Sequence, residues 1–388
     1  MSEILSGRQV LMYSVLRRIV TGLAIPAELA GLSWDSAAGS ANTYAEEVMV
    51  ADPEGVEAML RRHLLAQGGI AIAGSSVAKL GELLGGLPTL TPVPLPSRVE
   101  AVHVTKVRHL TQQLRDAGRA HGSDPQVSRA VVAWATRLLD VSGADRVKRE
   151  LMVAVGELHT VAGWSAFDAG LADHTMWHYA RALDLAAAAR DPSLQATALN
   201  FAGIATAEHG HPDDGLKMLQ LGRVKSWEIP RDDNRRSVVQ SCSLGESAVA
   251  LADLGYSDAA RAELAKAREL WQPTAPYGDP NSIAALLELG CGRLDAAEPF
   301  AAASLRHWDG VSHRARAQSS VTLATIHVRA GDSGGLSMAH GAITSVGKLS
   351  SARTRKRLQP LADALDTRPG TDARDLARQA RQVATTRV

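Results

Sequence analysis

Two cysteines, Cys242 and Cys291, are all that 388 residues contain. They lie far apart, which excludes a disulfide framework and any cysteine-based metal spacing, and a reduced, cytoplasmic setting is the simplest expectation. Aromatic residues are also scarce at 4%, and seven of the fifteen are tryptophan (7 Trp, 5 Tyr, 3 Phe). Net charge is nearly absent: 42 basic against 41 acidic residues leaves +1. No global field therefore favours nucleic acid or an anionic membrane, and DNA binding would need a local basic patch. No apolar run reaches the eighteen residues of a membrane span, and no alternating, β-branched segment reads as a strand. Arg61 and Arg62, followed by His63-Leu64-Leu65 and GGIAIAG, imitate a twin-arginine export signal, but they begin sixty residues into this sequence and export is not expected.

What is present is a repeated helical hairpin. The stretch Leu158 to Pro192, LHTVAGWSAFDAGLADHTMWHYARALDLAAAARDP, reads as two helices joined at Gly170, with Leu158, Val161, Ala162 and Ala166 on one and Ala180, Leu183 and Ala187 on the other at helical spacing. One such hairpin cannot bury its own apolar face. Aligned on the turn glycine, the chain repeats it at Gly170, Gly210, Gly255, Gly292 and Gly331, at differences of 40, 45, 37 and 39 residues. A mostly small or apolar residue follows each glycine by five places (Thr175, Gly215, Ala260, Ala297, Leu336), where adjacent helices must approach closely. The units span about 144–190, 193–229, 233–272, 279–308 and 312–348, longer than the roughly 34 residues of a standard tetratricopeptide repeat.

Before the array, helices are expected at 8–22, 53–66 and 75–84, followed by a proline-rich linker and a helix pair, VEAVHVTKVRHLTQQLRDAG and PQVSRAVVAWATRLLDV. After it, segments 351–366 and 371–385 read as the terminal cap that such arrays require. The expected division is thus 1–91, an N-terminal helical segment suited to dimerisation or docking; 92–98, the linker; 99–348, the repeat array; and 349–388, the capping helices. The expected fold is all-α, a tetratricopeptide-like helical-hairpin solenoid with a right-handed superhelix.

The motif AGW-x-x-x-D-x-G (Ala162, Gly163, Trp164, Asp168, Gly170), followed by His178, Tyr179, Ala182, Leu183, Leu185 and Ala186, resembles the C-terminal, tetratricopeptide-like sensor region of XRE-type helix-turn-helix regulators of actinobacteria. GLAIPAELAGLS at 22–33, LRRHLL at 60–65 and SARTRKRLQPLADAL at 351–365 extend the resemblance over nearly the whole chain. In that family a DNA-binding domain precedes the IPxxL segment. Here IPAEL begins at residue 25, and the residues before it contain no candidate recognition helix. The resemblance therefore implies the sensor fold without its DNA-binding domain, and direct DNA binding is not expected.

In helical repeats the first helix of each pair lines the concave face. Counting from the turn glycines, that face would carry Glu157, Thr160, Trp164 and Asp168, then Asn200 and Glu208, and finally Gln318, Thr325 and Arg329. Such a polar groove with one large aromatic suits a small polar molecule or a peptide. Trp164 and Asp168 equally suit a core anchor and a turn cap. Arg235, clustered with Arg231, Arg236 and Trp227, would clamp an anionic group from the groove or pair with Asp232 and Asp233. His174 and His178 have the i,i+4 spacing of a metal pair, but no third ligand accompanies them, and no metal or cofactor is expected. His209 and His211 flank a turn and read as exposed. GGIAIAGSS and GELLGG lack the lysine-containing pattern of a phosphate loop. Arg353, Arg355, Lys356 and Arg357 form the densest positive run, which reads as a solvated helix face or a phosphate contact.

These features point to a regulatory protein that senses a small molecule or peptide in the concave groove, in transcriptional or secondary-metabolite control, with a protein partner and a homodimer among the partners the N-terminal segment suits. An enzyme on the same scaffold, using Asp168, Glu157, Glu208 or a groove histidine as acid or base, is the alternative from another class. A DNA-binding regulator with an atypical N-terminal reader is the third.

Overall fold

A computed structural model of the chain describes residues 95–275 and 278–386. The expected helices at 8–22, 53–66 and 75–84, the IPAEL segment and the start of the 92–98 linker lie outside the described residues.

The described chain is helical from end to end: α1 (Ala101–His121), α2 (Pro125–Arg137), α3 (Asp145–Asp168), α4 (Ala172–Ala189), α5 (Pro192–Glu208), α6 (Pro212–Ser226), α7 (Asn234–Asp253), α8 (Ser257–Leu270), α9 (Pro280–Gly290), α10 (Leu294–His307), α11 (His313–Ala330), α12 (Gly335–Gly347), α13 (Ala352–Lys356), α14 (Gln359–Asp366) and α15 (Thr371–Thr385). Among the described residues the only β pairing is a single bridge between Val99 and Gly143. Successive helices pack as neighbours: α6 on α7, α7 on α8, α9 on α10, α10 on α11 and α11 on α12.

The turn between paired helices is one motif used five times. At the end of α3, Gly170 adopts φ +80°; its N–H donates to Phe167 O (3.0 Å) and the Leu171 N–H to Ala166 O (2.9 Å). This pair of bonds is the Schellman arrangement, which satisfies carbonyls that a helix end leaves orphaned and requires a left-handed residue. Gly210, Gly255, Gly292 and Gly331 have the same positive φ and the same two bonds.

Close approach follows immediately. A Cβ on Gly215 would sit 2.6 Å from the Gly203 carbonyl oxygen and 2.9 Å from the Ala207 nitrogen, so α5 and α6 touch backbone to backbone. Thr175, Ala260 and Ala297 are fully buried at the equivalent positions. The last pair differs: Leu336 is only partly buried, and Gly335 makes the approach instead, its ideal Cβ 3.1 Å from the His327 backbone. The loop after Gly331 is longer, so the contact falls on the neighbouring residue.

Contacts divide the described residues into two compact units. The first comprises residues up to Arg115, Pro125–Ala162 and Ala180–Leu194; its core joins Val104, Val107 and Leu110 of α1, Val131 and Ala135 of α2, Leu151, Val155 and Leu158 of α3, and Leu185 of α4. The second comprises Asp116–Asp124, Gly163–Tyr179 and everything from Gln195 onward. Its cores are alanine-rich, as close helix packing demands: Ala248, Ala260 and Ala284 with Leu264 and Ile283, and Ala324, Ala339, Ala342 and Ile343 with Leu358, Leu361 and Leu365. The segment expected as one helix over 351–366 is two, α13 and α14. Pro360 lacks an N–H and sits in the first turn of α14, so the chain bridges the break with tighter bonds from Arg357 N to Thr354 O and from Leu358 N to Arg355 O.

Two glycine substitutions separate the two roles. Gly210→Ala meets nothing within 4 Å and strains only the left-handed backbone, which should cost about 1 kcal/mol. Gly215→Ala drives a methyl into a neighbouring backbone and should cost about 3 kcal/mol. Denaturant unfolding of both variants checks the order.

Candidate functional site

The first helices of four pairs deliver the residues of one polar cluster within the second unit. Trp164 and Asp168 come from the end of α3, Glu208 from the last residue of α5, Glu246 from α7, and Arg314 and Gln318 from α11. The short helix α13, with the Ser351 that caps it, docks among them.

An aromatic group forms one wall. Trp164 meets Phe167 edge-on (centroids 5.5 Å apart, 76°) and Phe201 at 5.4 Å, and Tyr179 lies 6.1 Å from Phe201. A chain with three phenylalanines spends two of them here. The Arg353 guanidinium lies against both rings, 5.2 Å from the Trp164 centroid and 4.9 Å from that of Phe167, within the range of a cation–π interaction. Arg314 is 5.5 Å from Trp164.

Asp168, fully buried, anchors the segment's first residue. Its Oδ1 accepts from Ser351 Oγ (2.8 Å) and lies 3.2 Å from Arg314 Nη1. Ser351 Oγ also accepts from the Thr354 N–H (3.0 Å) as the cap of α13, and Thr354 Oγ1 accepts from Gln318 Nε2 (2.9 Å). Four buried polar atoms of this cluster have no hydrogen-bond partner: Asp168 Oδ2, Trp164 Nε1, Tyr179 Oη and Arg314 Nη1, the last being held by its ion pair alone. Each unmade bond costs about 1–3 kcal/mol in a buried setting.

Glu208 holds two guanidiniums. Arg353 Nε donates to its Oε2 (2.7 Å) while Nη2 donates to Oε1, a bidentate fork, and Arg357 Nη2 donates to Oε1 at 3.2 Å. Burial pushes the Glu208 carboxyl up, but the charges and hydrogen bonds of Arg353 and Arg357 outweigh it and hold the group at about 2. Glu246 shows the reverse balance. Burial, then the charge of Glu208, raise it to about 7 against the opposing pull of Arg353 and Arg357. Asp253 is raised by burial and by the same Glu208 charge. Burial pushes the Tyr179 hydroxyl far above its ordinary value, so it stays a neutral phenol. Asp168 and Glu208 both end helices, where the macrodipole disfavours negative charge; the arginines that reach them compensate.

Of the residues expected on the groove, Trp164, Asp168, Glu208 and Gln318 meet at this cluster. Asn200 is buried, its Nδ2 donating to Val239 O at 3.0 Å, with Gly222 leaving room for its side chain. Thr325 and Thr160 turn to their own helices, donating to Val321 O (2.7 Å) and Glu157 O (2.7 Å); Glu157 and Thr160 belong to the first unit. Arg235 pairs with Asp233, two residues away, at 2.6 Å, and Arg236 stacks on Trp227 at 4.4 Å. Arg329 is exposed. His178 is buried and packs edge-on against Trp177, and no group of three metal-ligating side chains occurs among the described residues.

The run Arg353 to Arg357 divides: Lys356 is exposed, whereas the Arg353 side chain is only 13% exposed. Phe167, Tyr179, Phe201, Glu246, Arg314, Ser351 and Thr354 are not among the site residues expected from the sequence. Register carries a signal for some of them. Asp168, Glu208 and Asp253 each stand two residues before a turn glycine, and Phe201 and Glu246 each stand nine before one. Nothing local in sequence links Arg353 to a carboxylate 145 residues earlier.

The raised Glu246 sets a pH dependence with a definite sign. Unfolded, the group ionises near 4.5; folded, near 7. The stability it contributes is complete below 4.5 and lost as pH rises through 7, whereas that of Glu208 is present above 4.5 and lost as pH falls toward 2. Glu246→Gln should therefore match the wild type at pH 4.5 and exceed it at pH 8, by on the order of 1–2 kcal/mol, as read by thermal unfolding across that range. No family model and no curated protein matches the chain.

Proposed function

We propose that the chain is a regulatory sensing protein, a tetratricopeptide-like solenoid that binds a polar small molecule or peptide on the face shared by the first helices of its pairs. The observation that carries this is the convergence of Trp164, Asp168, Glu208, Glu246 and Gln318, from α3, α5, α7 and α11, on a single inserted segment. A face that already grips one arginine between aromatic rings and a carboxylate has the chemistry of recognition. The resemblance to regulator sensor regions supports a role in transcriptional or secondary-metabolite control, exerted through a partner, and the uniform Schellman turns support the repeat architecture.

An enzyme on this scaffold has one observation in its favour, the Glu246 carboxyl at about 7, a value suited to proton transfer near neutrality. Against it, Glu208 is held at about 2 by two arginines and the Tyr179 phenol is locked neutral, so neither supplies the second half of an acid–base pair. Sensing accounts for more of the cluster.

A thermal-shift screen of the full chain against free amino acids, di- and tripeptides, nucleosides and sugars, repeated with Trp164→Ala/Glu208→Gln, tests the assignment. Probes that raise the wild-type Tm by several degrees and lose that effect in the variant are the expected result. A screen without hits, or with hits that survive in the variant, removes the ligand from this face.

A further inference from the structure

The cluster holds more capacity for cations than its resident segment uses. Glu208 alone accepts from both Arg353 and Arg357, while Glu246 and Asp253, both raised in part by the Glu208 charge, make no hydrogen bond or ion pair among the described residues. On the other side of the Arg353 slot, two fully buried side chains have unmatched polar atoms, Asp168 Oδ2 and Tyr179 Oη, and both feel the Arg353 charge or contribute to its field. Aromatic rings, a bidentate carboxylate, two further carboxyls and unmatched buried polar atoms together offer more partners than one guanidinium uses.

The resident segment is also held unevenly. Ser351, Thr354 and Leu358 are fully buried, and the Ser350 N–H is tied to His121 O at 2.8 Å, so the backbone is fixed. Of the two guanidiniums Arg357 is the less confined, 33% exposed at its side chain against 13% for Arg353. What another molecule can displace is the pair of side chains, not the helix that carries them.

From this geometry, and resting on the sensing role proposed above, we infer that the ligand is a basic peptide bearing arginines four residues apart, and that Arg353 and Arg357 are its in-chain competitors. Charge complementarity selects this class: Asp168, Glu208, Glu246 and Asp253 outnumber Arg314, Arg353 and Arg357, and a carboxylate that accepts a guanidinium as a fork beside the Trp164 and Phe167 rings fits arginine better than lysine. A peptide arginine would take the Trp164–Phe167–Glu208 slot as Arg353 swings to solvent, and its second cation would reach Glu246. The unoccupied protein is then held in one state by its own arginines, and the ligand works by releasing them.

Fluorescence anisotropy with the labelled heptapeptide Ser-Ala-Arg-Thr-Arg-Lys-Arg, the sequence of residues 351–357, tests the idea on the full chain. Arg353→Ala/Arg357→Ala should bind it at least about tenfold more tightly than the wild type, since the competitor is gone. Adding Glu208→Gln should return affinity to the wild-type level or below. A heptapeptide with lysine at its third and seventh positions should bind about tenfold more weakly, and free arginine should compete only at far higher concentration. Equal affinity for wild type and double variant, indifference to Glu208→Gln, or equal binding of the lysine peptide overturns the inference. Should the double variant fail to fold, Arg353→Lys, which keeps the charge and loses the fork, decides it: tighter peptide binding than wild type supports competition and unchanged binding refutes it. Peptide that fails to bind while Trp164-dependent hits persist in the small-molecule screen ends this inference and leaves the sensing role standing; failure of both ends both.

Discussion

A helix that stops at a left-handed glycine turns its successor back along its own side. In this chain that constraint recurs at Gly170, Gly210, Gly255, Gly292 and Gly331, all with φ between 72° and 91°. Two backbone bonds close each turn, so the direction of the second helix is set before any side chain packs. Once the direction is set, separation is decided by whatever sits at the first crossing. Between α5 and α6 that is glycine against glycine, and in the next two pairs Ala260 and Ala297. Larger residues there would push the helices apart and open the alanine-rich cores that depend on close approach.

The same turn also determines where carboxylates can stand. Asp168, Glu208 and Asp253 occupy one register, two residues before the glycine, so each falls at a helix C-terminus among carbonyls that already carry partial negative charge. An acid there is destabilising unless a cation comes to it. Arg314 comes to Asp168 from α11, and Arg353 of α13 and Arg357, the residue that caps its end, come to Glu208. The cap of the array is thus connected to its beginning by electrostatics that the turn geometry made necessary, and Ser351 and Thr354 add hydrogen bonds that fix where the arginines emerge.

Most of the helical layout was legible because it rests on local chemistry. Glycine spacing, helix-favouring composition and apolar periodicity act within a few residues, and the helix pairs fall close to the expected bounds. Where a second local signal competed, the expectation slipped: Pro360 splits the segment expected as one helix over 351–366, and Gly335 displaces Leu336 at the last crossing. The site was legible only on its repeat side. Trp164, Asp168 and Glu208 followed from counting back from the glycines, but Thr325 and Asn200, chosen by the same count, spend their polar atoms on a helix carbonyl and a neighbouring backbone. The arginines that complete the cluster lie 145 and 149 residues beyond Glu208, and a basic run on a capping helix has no local feature that distinguishes a solvated face from a buried partner.

Crowding this many ionisable groups together is a poor way to stabilise a fold. Desolvation works against each group, as the raised Glu246 and the lowered Arg357 both show, and apolar residues of similar volume commonly do as well or better. The pair that does gain, Glu208 with Arg353, gains by direction: a fork aligned on a carboxylate with two aromatic rings beside it admits few other partners. The aromatic residues sharpen this further, because a chain with so few of them gathers Trp164, Phe167, Tyr179 and Phe201 into one group, with Trp164 and Phe167 against the Arg353 guanidinium, while its cores are packed mainly with alanine and leucine. Rigid rings and forked acids add little to packing that aliphatic side chains do not already provide, and much to discrimination between one cation and another. That division of labour, alanine for architecture and a single aromatic–acidic cluster for polar contacts, supports the recognition face proposed above over a purely structural repeat.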